Sequence, residues 1–252
     1  FYFYADTPAV KVTHSLVLTR DTNEVWFHDY GLHFRTAAAP ENVTFALADA
    51  EPDNLLAAEP VEADMLVTTR PGDDEVYMLQ DVYPRFLKRE ARAIAGRVPA
   101  NRIATDETTV DSFWIHDWLQ HTTAVGDWGH GSYNGYGLTV VVPWMAQQFP
   151  KEIAFGPDGV RAALWSGRSG RALDFRTVTL INEHWKNWAT GLHRGKPRVP
   201  GGVKALAEMR SNAQCAARTH DLWLVPYTGI YDEAAIEAAA KAAARPPLLQ
   251  AD

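Results

Sequence analysis

Period-two alternation, broken at short intervals by turn-forming residues, restricts this chain more than any other feature. Across residues 10–18, Val10, Val12, His14, Leu16 and Leu18 alternate with Lys11, Thr13, Ser15, Val17 and Thr19, the pattern of a strand with one buried face. Asp21-Thr22-Asn23 supplies turn chemistry, and residues 25–35 are expected to return as the next strand of a hairpin or meander. Further strands are predicted at 43–47, 65–69, 76–79, 137–142, 160–165, 173–180 and 219–225, separated by Pro, Asp and Gly clusters. The remainder of 37–63 reads as loop and carries a formal glycosylation sequon, Asn42-Val43-Thr44. Residues 232–245 read as a helix: Asp232 and Glu233 open it, alanine fills it, and Pro246 stops it after Arg245.

Many short strands and one firm helix point to an all-β fold, a large antiparallel two-sheet β-sandwich with a C-terminal helix. The division expected is a sandwich domain over 1–230 and a helix with linker over 231–252. A chain of 252 residues with 46% hydrophobic content can bury a sizeable core. A net charge of -7 disfavours nucleic acid or an anionic membrane as partner, since both select basic surfaces. No apolar run is long enough to span a bilayer, and the start lacks a signal peptide's basic and small-residue marks, so the compartment stays open. Cys215 is the single cysteine, which excludes an internal disulfide; beside Ala213, Ala216 and Ala217 it reads as a small buried residue. The aromatic opening Phe1-Tyr2-Phe3-Tyr4 and the closing Pro246-Pro247 segment both look cut from something longer.

Chemistry concentrates in residues 112–154, where Trp114, Trp118, Trp128, Tyr133, Tyr136 and Trp144 accompany His116, His121 and His130. Aromatic rings can stack on sugars or fill a core, and imidazoles move protons near neutral pH. The spacing of His116, Asp117 and His121 fits neither a helical ligand pair nor a zinc pattern, so no metal is expected. No nucleotide or phosphate motif is present, and no cofactor is expected. The segment 129–137 is different, because glycines make its backbone permissive while His130, Tyr133, Asn134 and Tyr136 offer polar tips. β-Elimination on a uronate needs a base, an acid and a cation for the carboxylate, roles that His, Tyr and Arg can fill. A glycine-rich hairpin whose aromatics cover a sheet is the plainer alternative. A carboxylate pair drawn from Asp111, Asp117 and Asp127 keeps glycoside hydrolysis open.

Gln147-Gln148-Phe149-Pro150-Lys151-Glu152, then Gly159-Val160-Arg161-Ala162-Ala163-Leu164-Trp165, Leu173-Asp174-Phe175-Arg176 and Arg218-Thr219-His220-Asp221-Leu222 together resemble the exo-rhamnogalacturonan lyase and YetA-like family, specifically its central β-sandwich domain. The likeness covers 137–252 well and the first half loosely, and departs around 126–136, where this chain is unusually aromatic. It implies a polysaccharide lyase-like protein acting on a uronate- and rhamnose-containing glycan such as the rhamnogalacturonan of pectin, with Arg245-Pro246-Pro247 leading towards a helical toroid domain of the same parent chain. In such lyases the site often lies between toroid and sandwich. Two readings follow. In the first, His130, Tyr133, Tyr136 and His220 are catalytic, with Trp118, Trp128, Asn134 and Arg210 binding substrate. In the second, the sandwich is non-catalytic and binds sugar or scaffolds the helical domain. Acid–base catalysis requires mutual reach, so convergence of those side chains separates the two.

Overall fold

The computed structural model describes residues 1–50, 65–71, 75–80, 101–104, 109–110, 122–148, 150–170, 172–173, 192–193, 196–197, 213–229 and 232–244. Its strands are β1 (Tyr2–Phe3), β2 (Val10–Val17), β3 (Tyr30–Phe34), β4 (Asn42–Ala50), β5 (Met65–Thr69), β6 (Val76–Gln80), β7 (Asn101–Ala104), β8 (Thr109–Val110), β9 (Thr122–Tyr133), β10 (Tyr136–Val141), β11 (Lys151–Gly156), β12 (Gly159–Trp165), β13 (Leu192–His193), β14 (Lys196–Pro197) and β15 (Ala217–Thr228). Helix α1 (Glu233–Ala244) closes the described chain. One sheet runs β1-β2-β15-β10-β9-β4-β5 and a second runs β3-β12-β11-β6-β7-β8, with β13 and β14 forming a small ribbon. The protein is therefore an all-β antiparallel sandwich with a C-terminal helix.

Alternation builds the core as expected. Phe45, Val140 and Leu222 come from one sheet, Met78, Ile153 and Phe155 from the other, and all are fully buried in one cluster. Phe45 and Phe155 meet with ring centroids 6.1 Å apart at 57°, a tilted packing that adds to about 1.5–3 kcal/mol of burial for each ring. Gly131 makes this approach possible, because a Cβ there would lie 2.9 Å from the Phe155 ring. At the end of β9, Tyr133 and Tyr136 face each other across the Asn134-Gly135 turn, their rings stacked 4.6 Å apart. Gly135 takes φ 80°, a left-handed conformation open to glycine.

Asp232 caps α1 by accepting the Ala235 amide at 3.1 Å, and Glu237 pairs with Lys241 at 3.0 Å one turn on. Ile236, Ala240 and Ala243 recur at helical spacing and bury against Trp128 and Val141 on the outward face of the longer sheet.

By contact density the chain forms two compact units. One holds residues 1–14, 30–169 and 220–252, α1 included. The other holds 15–29 and 170–219. Within the second, Phe27 and Leu173 form an isolated bridge, and Thr22 accepts the Ala213 amide at 2.8 Å. Cys215 is exposed there rather than buried: it sits at φ 70° in a turn, its amide bonded to Leu18 O at 2.6 Å.

Three local expectations are corrected. Residues 30–34 do not return beside β2 as a hairpin; β3 crosses to the other sheet and pairs with β12, because its inward residues Tyr30, Leu32 and Phe34 complete the opposite wall of the core. Strand β11 went unread, since its Lys151 and Glu152 mask the alternation of Ile153 and Phe155. The strand predicted at 43–47 runs instead from Asn42 to Ala50 as β4, so the whole sequon lies on it, with Val43 and Thr44 buried. Beyond Leu173, the strand predicted at 173–180 lies outside the described residues.

Gly31 marks where β3 and β12 press closest. A Cβ there would strike the Ala162 carbonyl oxygen and come within 2.7 Å of the Ala163 Cα, beside the irregularity between Ala163 and Trp165. Gly31→Ala is therefore expected to lower stability by about 1–3 kcal/mol, read as a lower urea midpoint at unchanged slope; an unchanged midpoint would show that the strands can part freely.

Candidate functional site

Successive side chains of a strand point to opposite faces, and this rule distributes the candidate residues. On β9, Gly129, Gly131 and Tyr133 face the opposing sheet, whereas Trp128, His130 and Ser132 face outward. His130 and Tyr133 are thus held on opposite sides of one strand. Tyr136 stays with Tyr133 in the stacked pair, and Asn134 is exposed at the turn. Trp128 is buried under α1, so its ring faces protein. His220 sits on β15 beside Leu222 of the core. Trp118 and Arg210 lie outside the described residues, as do His116, His121, Asp111 and Asp117. The described candidates do not form one cluster, and three polar groups stand out among the described residues.

The first group is a closed polar nest. His130 is 0% exposed, with Nδ1 2.9 Å from Thr139 Oγ1 and Nε2 3.2 Å from Ser132 Oγ and 3.1 Å from Tyr227 Oη. A neutral imidazole carrying its proton on Nδ1 meets all three contacts, donating to Thr139 and accepting at Nε2. Burial lowers its pKa from 6.5 to about 4, which keeps it neutral at ordinary pH. Gly137 leaves room for Tyr227 to lie over the imidazole, with ring centroids 5.2 Å apart. Burial also pushes the Tyr133 phenol up to about 12; Thr36 approaches and pulls the other way, yet no described group completes a well-formed hydrogen bond to that hydroxyl. Neither group is poised to exchange protons near neutrality.

The second group joins the candidate His220 to two residues to which the sequence reading gave no site role. Tyr30 Oη lies 3.0 Å from His220 Nε2, and the His14 ring is 6.0 Å from the Tyr30 ring between centroids. His14 Nδ1 is buried with no hydrogen-bond partner among the described residues. His14 occupies the apolar register of β2 between Val12 and Leu16, and Tyr30 arrives from β3 in the facing sheet. A histidine in an inward register was the available signal; that Tyr30 would meet it depends on β3 joining the other sheet. The arrangement is a phenol hydrogen-bonded to one imidazole with a second imidazole ring nearby, able to exchange a proton between Tyr30 and His220.

The third group is ionic. Glu152, 0% exposed on β11, is bound by Arg161, by Ser166 Oγ at 2.5 Å and by Arg168 Nε at 3.2 Å. Arg168 also pairs with Glu75 and lies 4.3 Å from the Tyr77 ring. Two guanidinium groups meet two carboxylates, so the charges are matched internally.

No cluster of three His, Cys, Asp or Glu side chains suited to a metal occurs among the described residues. No protein-family model matches the chain, and no curated protein matches it in sequence.

The nest has a measurable consequence. The unfolded chain takes up the His130 proton near pH 6.5 and the folded chain only near pH 4, so between these values the unfolded state holds more protons and stability falls as pH falls. The loss attributable to His130 is expected to reach about 3 kcal/mol by about pH 4 and to be absent from His130→Gln. Urea unfolding of both proteins at about pH 7 and about pH 4 measures it; parallel losses would show that His130 does not carry the effect.

Proposed function

We propose that this chain is the carbohydrate-active sandwich of a polysaccharide lyase-like protein, acting by β-elimination on a uronate- and rhamnose-containing glycan such as rhamnogalacturonan, with proton transfer at Tyr30 and His220. The 3.0 Å contact between Tyr30 Oη and His220 Nε2 carries the reading, because it joins two groups able to act as acid and base. His220 also belongs to Arg218-Thr219-His220-Asp221-Leu222, one of the segments resembling that lyase family. In the elimination, a base removes the proton beside the uronate carboxylate, the carbon–oxygen bond to the neighbouring sugar breaks, a carbon–carbon double bond forms, and an acid protonates the departing oxygen. Tyr30, hydrogen-bonded to His220, suits one of these transfers. The elimination also requires a cation to neutralise the uronate carboxylate. The reaction needs no cofactor.

A second reading is favoured by the burial of His130 and the sequestered Tyr133–Tyr136 pair: a non-catalytic sandwich that binds sugar or supports a helical toroid domain.

Incubation with rhamnogalacturonan oligosaccharides, followed by the ultraviolet absorbance of an unsaturated uronate, separates them. The lyase reading expects product from the wild-type chain, a rate lowered about 10²–10⁴-fold in Tyr30→Phe, and an unaffected rate in Tyr136→Phe. No product from the wild-type chain overturns it in favour of the binding reading.

A further inference from the structure

The outward face of β2 and β15 bears a second arrangement, on the side opposite His14 and His220. Tyr4 stacks on Trp223 with ring centroids 5.6 Å apart at 21°, and Lys11 Nζ stands 5.9 Å from the Trp223 ring centroid. Trp223 is half-buried against the Trp128 cluster beneath α1, so the stack is anchored from below. Tyr4 remains 45% exposed. Beside this platform, Asp221 accepts from Thr13 Oγ1 at 2.6 Å and pairs with Lys11 Nζ at 2.8 Å. Burial alone would push the Asp221 carboxyl up, but its bonds to Lys11 and Thr13 outweigh burial and hold it below the ordinary value, while the same bond raises Lys11.

We infer that Tyr4, Trp223, Lys11, Thr13 and Asp221 form a binding subsite for a neutral pyranose unit of a glycan. A flat, backed aromatic ring matches the C–H face of such a sugar, and its rigidity limits the ordering needed on binding. Asp221 keeps acceptor lone pairs and Lys11 keeps donor protons beyond their mutual bond, a fixed donor–acceptor edge that suits a vicinal diol. Because the two charges cancel, the edge offers no net attraction to a uronate carboxylate, and the class selected is a neutral sugar. Strand alternation turns Asp221 and Trp223 away from His220, so occupancy here is independent of any chemistry at Tyr30. The inference rests on the carbohydrate reading for its ligand class and not on β-elimination.

Calorimetric titration of the full chain with neutral galacto-oligosaccharides and, separately, with oligogalacturonates tests it. The neutral probe is expected to bind with Kd of about 10⁻³–10⁻⁴ M, weakened about 10-fold or more in Tyr4→Ala and in Asp221→Asn, retained in Tyr4→Phe, and unchanged in Tyr30→Phe. Tyr4 and Asp221 are exposed, so their variants are expected to fold, which far-ultraviolet circular dichroism checks. Absence of neutral-sugar binding, a preference for the oligogalacturonate, or equal affinity in wild type and Tyr4→Ala would each overturn the subsite, the last by leaving Tyr4 as a mere cover for Trp223. Binding without formation of unsaturated product defeats the lyase reading and leaves the subsite standing; product formation without such binding does the reverse.

Discussion

Two phenyl rings meeting between the sheets organise most of what surrounds them. Phe45 and Phe155 occupy the centre of the core, and the space they need comes from strand β9, where Gly131 presents no side chain to Phe155. A ring of this size cannot be admitted to a close-packed interior without a matching recess. Gly129 and Gly131 of β9 supply that recess, while the strand pairs with its neighbours β4 and β10. Once β9 is fixed, the parity of every residue on it is fixed as well, and with it the separation of Tyr133 from His130.

That parity assigns each polar group a different environment. Inward, the tyrosine pair is buried at the hairpin end of the core. Outward, His130 is enclosed by three hydroxyls and remains neutral because ionisation would place a charge in a dry site. Such a nest specifies how β9, β10 and β15 align, since Thr139 comes from the adjacent strand β10 and Tyr227 from β15, one strand further on. The Tyr30–His220 pair differs in that its two members come from facing sheets, which makes it a product of tertiary assembly.

The local sequence conveyed much of the fold. Residues 65–69 read as a strand and form one, and Asp232 announced the helix it caps, because alternation and capping are short-range signals. Sheet membership was harder: whether β3 lies beside β2 or across from it depends on which apolar face completes the core, and nothing within residues 25–35 states this. The candidate site was legible in part for the same reason. His130 and the tyrosines stood out by composition, yet composition does not distinguish glycines that open a ligand loop from glycines that admit a phenyl ring. Tyr30 was invisible as a partner of His220 because 190 residues separate them.

Glu152 shows how such a fold constrains its own change. The carboxylate is wholly buried, while Arg161 and Arg168 keep part of their side chains in solvent, 24% and 36% respectively. Loss of the acid would leave Arg168 its pairing with Glu75 and let Arg161 turn outward to water, whereas loss of Arg161 would remove a counter-charge from a buried anion that cannot turn outward. The order of substitution therefore matters: descendants of this sequence can surrender the acid first and the bases afterwards, but the reverse path crosses a less stable ancestor. Present-day relatives should accordingly be found with Arg161 orphaned more often than with Glu152 orphaned, a directional trace of electrostatics left in the history of the strand.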